Sequence, residues 1–550
     1  MQFNGIDGRL EENVRALSPL TTTGCDSARW RLDRLYRDSE QVIQDALRAL
    51  GYYDATMTRS LRWDDDCWYA EFNIELGDPV RLRQVDIRID GDAASDTAFL
   101  ARIAVGRPAS GEILDHGYYG DYKASVLRAA INAGFFDADF ERSEVTVDRE
   151  AHAADMTMRL ASGARYRFGE VTFTEDILRK RLLQGYTDIR PGEPYSSKSI
   201  NELYEALNGS SYFSSVSIKT DPLDEVGKTV PVNVDLLPAK RRIYTMGGGY
   251  STDLGPQGRL GYTDRRINDR GHQLESRLFA STIKSELSAS YRWPKRDPRR
   301  EWISLVAGLQ HENTDTSEHD TFKLGALRSR SIGSSWLQTH YLDYEYENYK
   351  VADEDSTSEL VVLGTNWERA IGRALSRATE GHRLSLDLRG ASDAIGSDTS
   401  FVQLRARARW VHSFGERTRV LARASLGLTA KEKLTELPAS VRFFAGGDHS
   451  VRGYEFESLG PVDENGEVIG GSHLVDASLE FDYLLRDKWA MAVFVDSGDA
   501  FNDYDIEFNT GIGLGIRWYS PVGPIRLDIA HPLDNPDEDY RIHIGLGPDL

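Results

Sequence analysis

The sequence predicts two architectures in series. Small α+β repeats run to about residue 239, and an all-β antiparallel barrel of the membrane-spanning kind fills residues 240–550. Three observations lead there. Before residue 240, helical periodicity alternates with short strands in a recurring order, and from Arg241 onward the apolar period is two. The chain is also polar for its aromatic content. Hydrophobic residues make 40% and mean hydropathy is −0.47, yet 25 Tyr, 20 Phe, 10 Trp and 48 Gly occur in 550 residues. Strands that turn alternate residues to a wet lumen have that composition. No run reaches the roughly 18 apolar residues of a spanning helix, which excludes a helical membrane protein. A formal net charge of −21 excludes the basic footprint of a nucleic-acid binder.

In the first part, amphipathic helices are expected over 39–50, 121–133 and 196–207. They lead into Gly51-Tyr52-Tyr53-Asp54, Gly134-Phe135-Phe136-Asp137 and Ser211-Tyr212-Phe213-Ser214. Strands 55–61, 144–148 and 216–220 follow, then closing strands 68–76, 155–160 and 230–237. The aromatic pairs recur 83 and 77 residues apart. That period implies three domains, 1–78, 79–162 and 163–239. Each aromatic pair is read as core, packing a helix end onto its own sheet. The joints at 76–80 and 161–164 are too short for free tethers, so a semi-rigid arm is expected. Cys25 and Cys67 are too few for a disulfide scaffold. They form one bridge in an oxidising compartment or are two unrelated buried thiols. No charged segment followed by an apolar one opens the chain, so an exported barrel is expected to have lost a signal peptide.

In the second part, Leu384, Leu386 and Leu388 alternate with Ser385, Asp387 and Arg389, and Val402 to Trp410 alternate with Arg405, Arg407 and Arg409. A soluble sandwich alternates too. Strands longer than the usual five or six residues, with aromatics at their ends, favour a barrel. About 310 residues at nine to eleven per strand, plus loops, give roughly 14 to 18 strands. The first strand, about 243–250, contains Gly247, Gly248 and Gly249 and is weakly specified. The last, about 540–546, presents Ile542, Ile544 and Leu546 and is followed by Gly547-Pro548, where Pro548 has no N–H for a ladder. Both are poor partners at one end, so a seam that opens sideways is expected.

Chemistry is sparse. Val226-Gly227-Lys228-Thr229 imitates the tail of a phosphate-binding loop, but Pro222 stands where its first Gly belongs. Asp64-Asp65-Asp66 reads as a solvated hairpin turn, and the 12 His show no ligand spacing. No nucleophile–base grouping stands out, so neither enzyme, metal nor cofactor is expected. The informative block is 442–455, an aromatic- and Gly-rich break in the alternation that projects Arg452 from a compact loop.

At Val451-Arg452-Gly453-Tyr454 the sequence resembles the outer-membrane assembly and secretion proteins with periplasmic POTRA domains. Their barrels carry such a tip on a loop folded back into the lumen. Residues 493–501 and 511–528 match the same family. The resemblance implies that the repeats are POTRA domains, that the barrel has 16 strands, and that the loop around 442–458 turns inward. Three repeats and the ending Gly545-Leu546-Gly547-Pro548-Asp549-Leu550 are most similar to the branch formed by the outer-membrane subunit of the translocation and assembly module (TamA). That branch implies insertion or translocation of unfolded β-rich clients, autotransporters among them, in contact with outer-membrane lipid. It also implies a TamB-like inner-membrane-anchored partner, expected on the first repeat. A two-partner-type secretion pore for one dedicated substrate and a passive outer-membrane channel are the alternatives. The period-two register turns Asp476, Glu480 and Asp482 inward on 473–483, and Asp496 inward on 489–496. In the family the loop arginine pairs with the acid of the Phe-x-Asp-x-Gly stretch, here Asp496. Arg452 is therefore expected on Asp496, with Glu480 as second acceptor.

Overall fold

A computed structural model describes the chain except for residues 65–66, 176, 222, 334, 373–376, 432–436, 503–505, 521–522, 536–539 and 547–550. Asp65, Asp66, Pro222, Pro521, Val522 and the ending from Gly547 through Pro548 to Leu550 thus lie outside the described residues. Contacts divide the chain into two compact units. One holds residues 1–174, 188–205 and 217–235, and the other 175–187, 206–216 and 236–550.

The first repeat has β1 (Gln2–Asn4), α1 (Gly8–Leu17), α2 (Arg29–Arg48), β2 (Thr56–Asp64) and β3 (Cys67–Glu75). The second has β4 (Arg81–Asp90), α3 (Thr97–Ala104), α4 (His116–Asn132), β5 (Asp139–Asp148) and β6 (Ala153–Ala161). The third has β7 (Arg167–Phe173), α5 (Lys180–Gln184), α6 (Ser197–Asn208), β8 (Phe213–Lys219) and β9 (Thr229–Pro238). Each closing strand lies in the middle of a three-stranded sheet, in the orders β1-β3-β2, β4-β6-β5 and β7-β9-β8. Middle strands need one fully buried face. In β3, Trp68, Ala70, Phe72 and Ile74 supply it, against Leu32, Ile43 and Leu47 of α2. Helix α2 starts at Arg29 rather than at 39, because the charged run from Asp33 to Asp38 hides its apolar stripe. Cys25 and Cys67 form a disulfide with Cα atoms 4.6 Å apart.

The aromatic pairs do not both enter their own core, which corrects the sequence reading. Phe135 is fully buried in the second repeat's core, whereas Phe136 packs edge-on against Tyr166 and Tyr195 of the third. Tyr52 packs in the first core, and the Tyr53 hydroxyl lies 2.6 Å from His116 Nε2 of the second repeat. The flanking residues complete a joint. Gly51 and Gly134, at φ +92° and +91°, accept backbone hydrogen bonds from Val80 and Tyr166, both 2.9 Å. Asp54 pairs with Arg149 at 2.5 Å, and Asp137 with Lys228 at 2.8 Å. The lysine of the phosphate-loop imitation is therefore a joint residue. Its hydrogen bond holds the Asp137 carboxyl below the usual range and raises the Lys228 ammonium above its own. In the other unit, Tyr212 donates to the Gly271 carbonyl at 2.5 Å and Arg179 pairs with Asp269 at 2.7 Å.

Sixteen antiparallel strands follow, each bonded to its neighbours in chain order, forming a near-closed barrel. They begin with β10 (Arg242–Ser251) and β11 (Gly255–Asp264); strands β12 to β19 span Gln273 to Phe414. The series ends with β20 (Thr418–Lys431), β21 (His473–Arg486), β22 (Trp489–Phe501), β23 (Asn509–Ser520), β24 (Gly523–Pro532) and β25 (Arg541–Leu546). The pleat sorts the side chains. Leu479↔Val495 and Phe481↔Val493 pair on the outer face, where all four are exposed to the lipid side. Ser478↔Asp496 and Asp482↔Ala492 pair on the inner face, where all four are buried. Trp489 and Trp518 stack at strand ends with centroids 5.8 Å apart, where an interfacial girdle belongs. No described helix is long and apolar enough to cross a membrane.

Candidate functional site

Between β20 and β21 the chain runs through a long loop that enters the lumen. Its tip is apolar and tight. Val451 and Tyr454 are buried, and Gly453 sits at φ +104°, where an L side chain is strained. Three glycines on the inner face of β23 make room for it. A Cβ at Gly511 would overlap the Arg452 carbonyl, one at Gly513 the Phe494 ring, and one at Gly515 the Asp528 carboxylate. That recess lets the tight tip carry the Arg452 guanidinium up to the barrel wall.

Arg452, 5% exposed, meets the wall with its whole fork. Nε donates to Asp496 Oδ2 at 2.6 Å and Nη2 to Oδ1 at 2.9 Å, a bidentate pair. Nη1 donates to Glu480 Oε2 at 2.9 Å and to Asp528 Oδ2 at 3.0 Å. Its backbone N–H also donates to Asp496, at 3.1 Å. The guanidinium carbon stands 3.4 Å from the Phe494 ring centre. Arg517 closes the cluster from β23, with Nη2 2.8 Å from Glu480 and Nη1 2.5 Å from Asp528. Arg423 of β20 donates to the loop carbonyls of Asp448 and Ser450 at 2.9 and 2.7 Å, and reaches Asp496 at 3.3 Å. Three guanidiniums thus face three carboxylates. The cluster is neutral as a whole, so each buried charge has a partner.

Of the residues singled out in the sequence, Val451, Arg452, Gly453, Tyr454, Glu480 and Asp496 meet here. Asp528, Arg517, Arg423 and Ser478 were missed. The signal for two of them was present: Ile525, Leu527 and Ile529 alternate outward, which turns Asp528 inward, and Ile512, Leu514 and Ile516 do the same for Arg517. Asp476 and Asp482 face inward but elsewhere. Asp482 is fully buried beside Arg419, 2.5 Å away, in a second pair on the wall.

The other candidate is the seam. Strand β10, with Gly247, Gly248 and Gly249, is paired to β11 over its whole length. Between β10 and β25 no ladder forms among the described residues. Thr252, just past β10, makes the contact: its N–H donates to the Ile544 carbonyl at 3.1 Å, and the Ile544 N–H donates to its hydroxyl at 2.7 Å. Its hydroxyl also reaches the Ile542 carbonyl at 3.4 Å. Beside the loop the lumen keeps a cavity of about 790 Å³, bordered by Thr245, Arg259, Arg409 and His543. The site can hold a loop rigidly and leave one strand edge weakly bonded.

Comparison with known proteins fits this geometry. Residues 244–549 match the Omp85 superfamily domain, residues 1–76 the POTRA domain described as TamA domain 1, and residues 166–238 the POTRA family described as surface antigen variable number repeat. The chain is 22% identical over 592 residues to the outer membrane protein assembly factor BamA of Nitratidesulfovibrio vulgaris, covering 99% of this chain and 71% of that one. BamA of Neisseria meningitidis serogroup B is 20% identical over 593 residues, covering 93% and 72%. The crystal structure of Haemophilus ducreyi BamA lacking POTRA domains 1–3 superposes with a TM-score of 0.69 at 16% identity, over 85% of this chain and 99% of that one. CdiB from Escherichia coli gives 0.50 at 14% identity, over 86% and 91%.

Proposed function

This chain belongs to the Omp85 superfamily of outer-membrane barrels with periplasmic POTRA domains, and from that premise we propose that it assembles or secretes β-rich clients by lending them a strand edge at the β10–β25 seam. The observation that carries the reading is the contrast in bonding. The β10–β11 interface pairs ten residues on each strand, while the described seam rests on Thr252. In lipid every unsatisfied backbone group costs several kcal/mol. A parted seam therefore demands a replacement strand, and an unfolded client supplies one. The chemistry is strand exchange, with no enzymatic step.

The finer reading is that this chain serves in a translocation and assembly module, with autotransporters among its clients and a TamB-like partner on the first repeat. The match of residues 1–76 supports it. So does β2, which ends its sheet and offers a free side for strand addition. The test is reconstitution in phospholipid vesicles with a urea-unfolded autotransporter barrel as client. Folding several-fold faster than in empty vesicles is expected, read by the gel shift of the heat-modifiable form. Equal rates contradict the proposal. In planar bilayers, small irregular conductance events are expected. A large steady conductance would indicate a passive channel instead.

A further inference from the structure

Asp448 sits on the lumenal loop, yet it touches both sides of the seam. Its backbone N–H donates to Asp253 Oδ2 at 2.8 Å, and Asp253 directly follows Thr252, the residue that bonds the last strand. Its carboxylate Oδ1 lies 2.5 Å from Nδ1 of His543, in the middle of β25. The other ring nitrogen of His543 is engaged by the same loop, because the Gly453 N–H donates to Nε2 at 3.0 Å. That bond fixes the tautomer. Nε2 accepts, so Nδ1 carries the proton and donates it to Asp448. Glu455 adds a second contact to the last strand, 2.7 Å from Arg541. Asp253, Asp448 and His543 together have the donor types of a cation site. With both imidazole nitrogens already hydrogen-bonded, however, the histidine has no lone pair to give.

We propose that Asp448 and His543 are positioning residues that clasp the seam, so that β25 parts from β10 only when the loop tip lifts away from it. The clasp rests on the seam mechanism proposed above and names its control. Arg452 anchors the tip on β21, β22 and β24, and Arg423 holds the Asp448 carbonyl at 2.9 Å, so Asp448 is presented from a rigid base. The histidine end of the link is buried and the Asp448 carboxylate nearly so: the side chains are 2% and 11% exposed, and the His543 ring meets the loop through both nitrogens. A client that displaces the tip would thereby release the last strand. Among the described residues, Thr252 would then hold the seam.

The experiment is hydrogen exchange of the full chain in phospholipid nanodiscs, read at the Thr252 and Ile544 amides that bond across the seam. Asp448→Ala and His543→Ala are each expected to exchange there at least tenfold faster than the parent. Mid-barrel amides of β23 should stay unchanged. The double variant should be no faster than His543→Ala, which already removes the Asp448 link together with the Gly453 bond. Parent-like seam exchange in the single variants, or effects that multiply in the double variant, overturn the clasp. If an alanine variant does not fold, Asp448→Asn decides. It keeps the size and one acceptor oxygen, so intermediate exchange is expected, and parent-like exchange contradicts the proposal. A hydrophobic replacement separates contact from packing. His543→Leu should be as fast as His543→Ala if the hydrogen bonds act, and parent-like if only bulk matters. No client enters this measurement. A barrel in which clients fold without seam opening would remove the proposed function and leave the clasp standing.

Discussion

Removing the Arg452 side chain leaves the buried carboxylates of Glu480, Asp496 and Asp528 with two guanidiniums, Arg517 and Arg423, in place of three. Breaking a buried pair by deleting one partner costs about 3–5 kcal/mol, most of it the stranded charge. Arg452→Ala is therefore expected to free the loop and lower assembly activity while the barrel still inserts. Arg452→Lys should rescue only in part, because a point charge cannot reproduce the two-pronged contact with Asp496. A double-mutant cycle on Arg452→Ala and Asp496→Ala, read as assembly activity, is expected to be non-additive by about 1–3 kcal/mol. Additive losses would mean that the two side chains do not cooperate. The glycine recess makes a companion prediction. Gly511→Ala should displace the tip without touching any charge, and should cost activity as Arg452→Ala does. Period-two arithmetic made the wall legible in the sequence, since each outward aliphatic fixes the facing of its neighbours. The loop's own contacts were not legible there. Which wall residues a folded-back segment meets depends on its path, and the path has no period; Asp448 and His543 are 95 residues apart in sequence.

Among the elements, the repeating Gly–aromatic–aromatic–Asp segment sets the geometry of the joints. Its period was readable, and so was the burial of its first aromatic. The destination of the second was not, because a ring that packs on the next repeat has the same sequence signature as one that packs at home. The carboxylate that ends the segment gives a pH test. Asp137 has its pKa lowered by the Lys228 hydrogen bond, so its contribution is present above the ordinary carboxylate value of about 3.9 and fades as pH falls through the depressed one. The raised Lys228 contributes below its ordinary value of about 10.4 and fades as pH rises through the raised one. The pair is half-exposed, so the effect is modest. At pH 7, Asp137→Asn should speed exchange of the Tyr166 amide, which bonds Gly134 across the joint, by a few-fold. As pH falls through the depressed Asp137 value, variant and parent should converge. A difference that persists in acid would place the cause in packing rather than charge.

Across the whole molecule, two compact units carry two proposed tasks, partner capture and strand exchange. Deleting residues 1–78 removes the first sheet and its disulfide, and should abolish capture of an inner-membrane-anchored partner while the barrel stays folded. Undiminished capture would place the docking surface on another repeat. Only the grounds for expecting a weak seam were legible, a Gly-rich first strand and a Pro after the last; the glycines pair with β11 throughout, and Pro548 lies outside the described residues. The residue that holds the seam was not legible, because Thr252 lies beyond the glycines and is ordinary in composition. The central claim is that this seam opens during client assembly, and a staple across it tests that claim most directly. Thr252→Cys with Ile544→Cys places two thiols at the touching positions just past the first strand and within the last, and oxidation joins them. Client folding in vesicles should fall to the empty-vesicle rate when the staple is closed and recover when it is reduced. Folding at the unstapled rate with the staple closed would contradict the account.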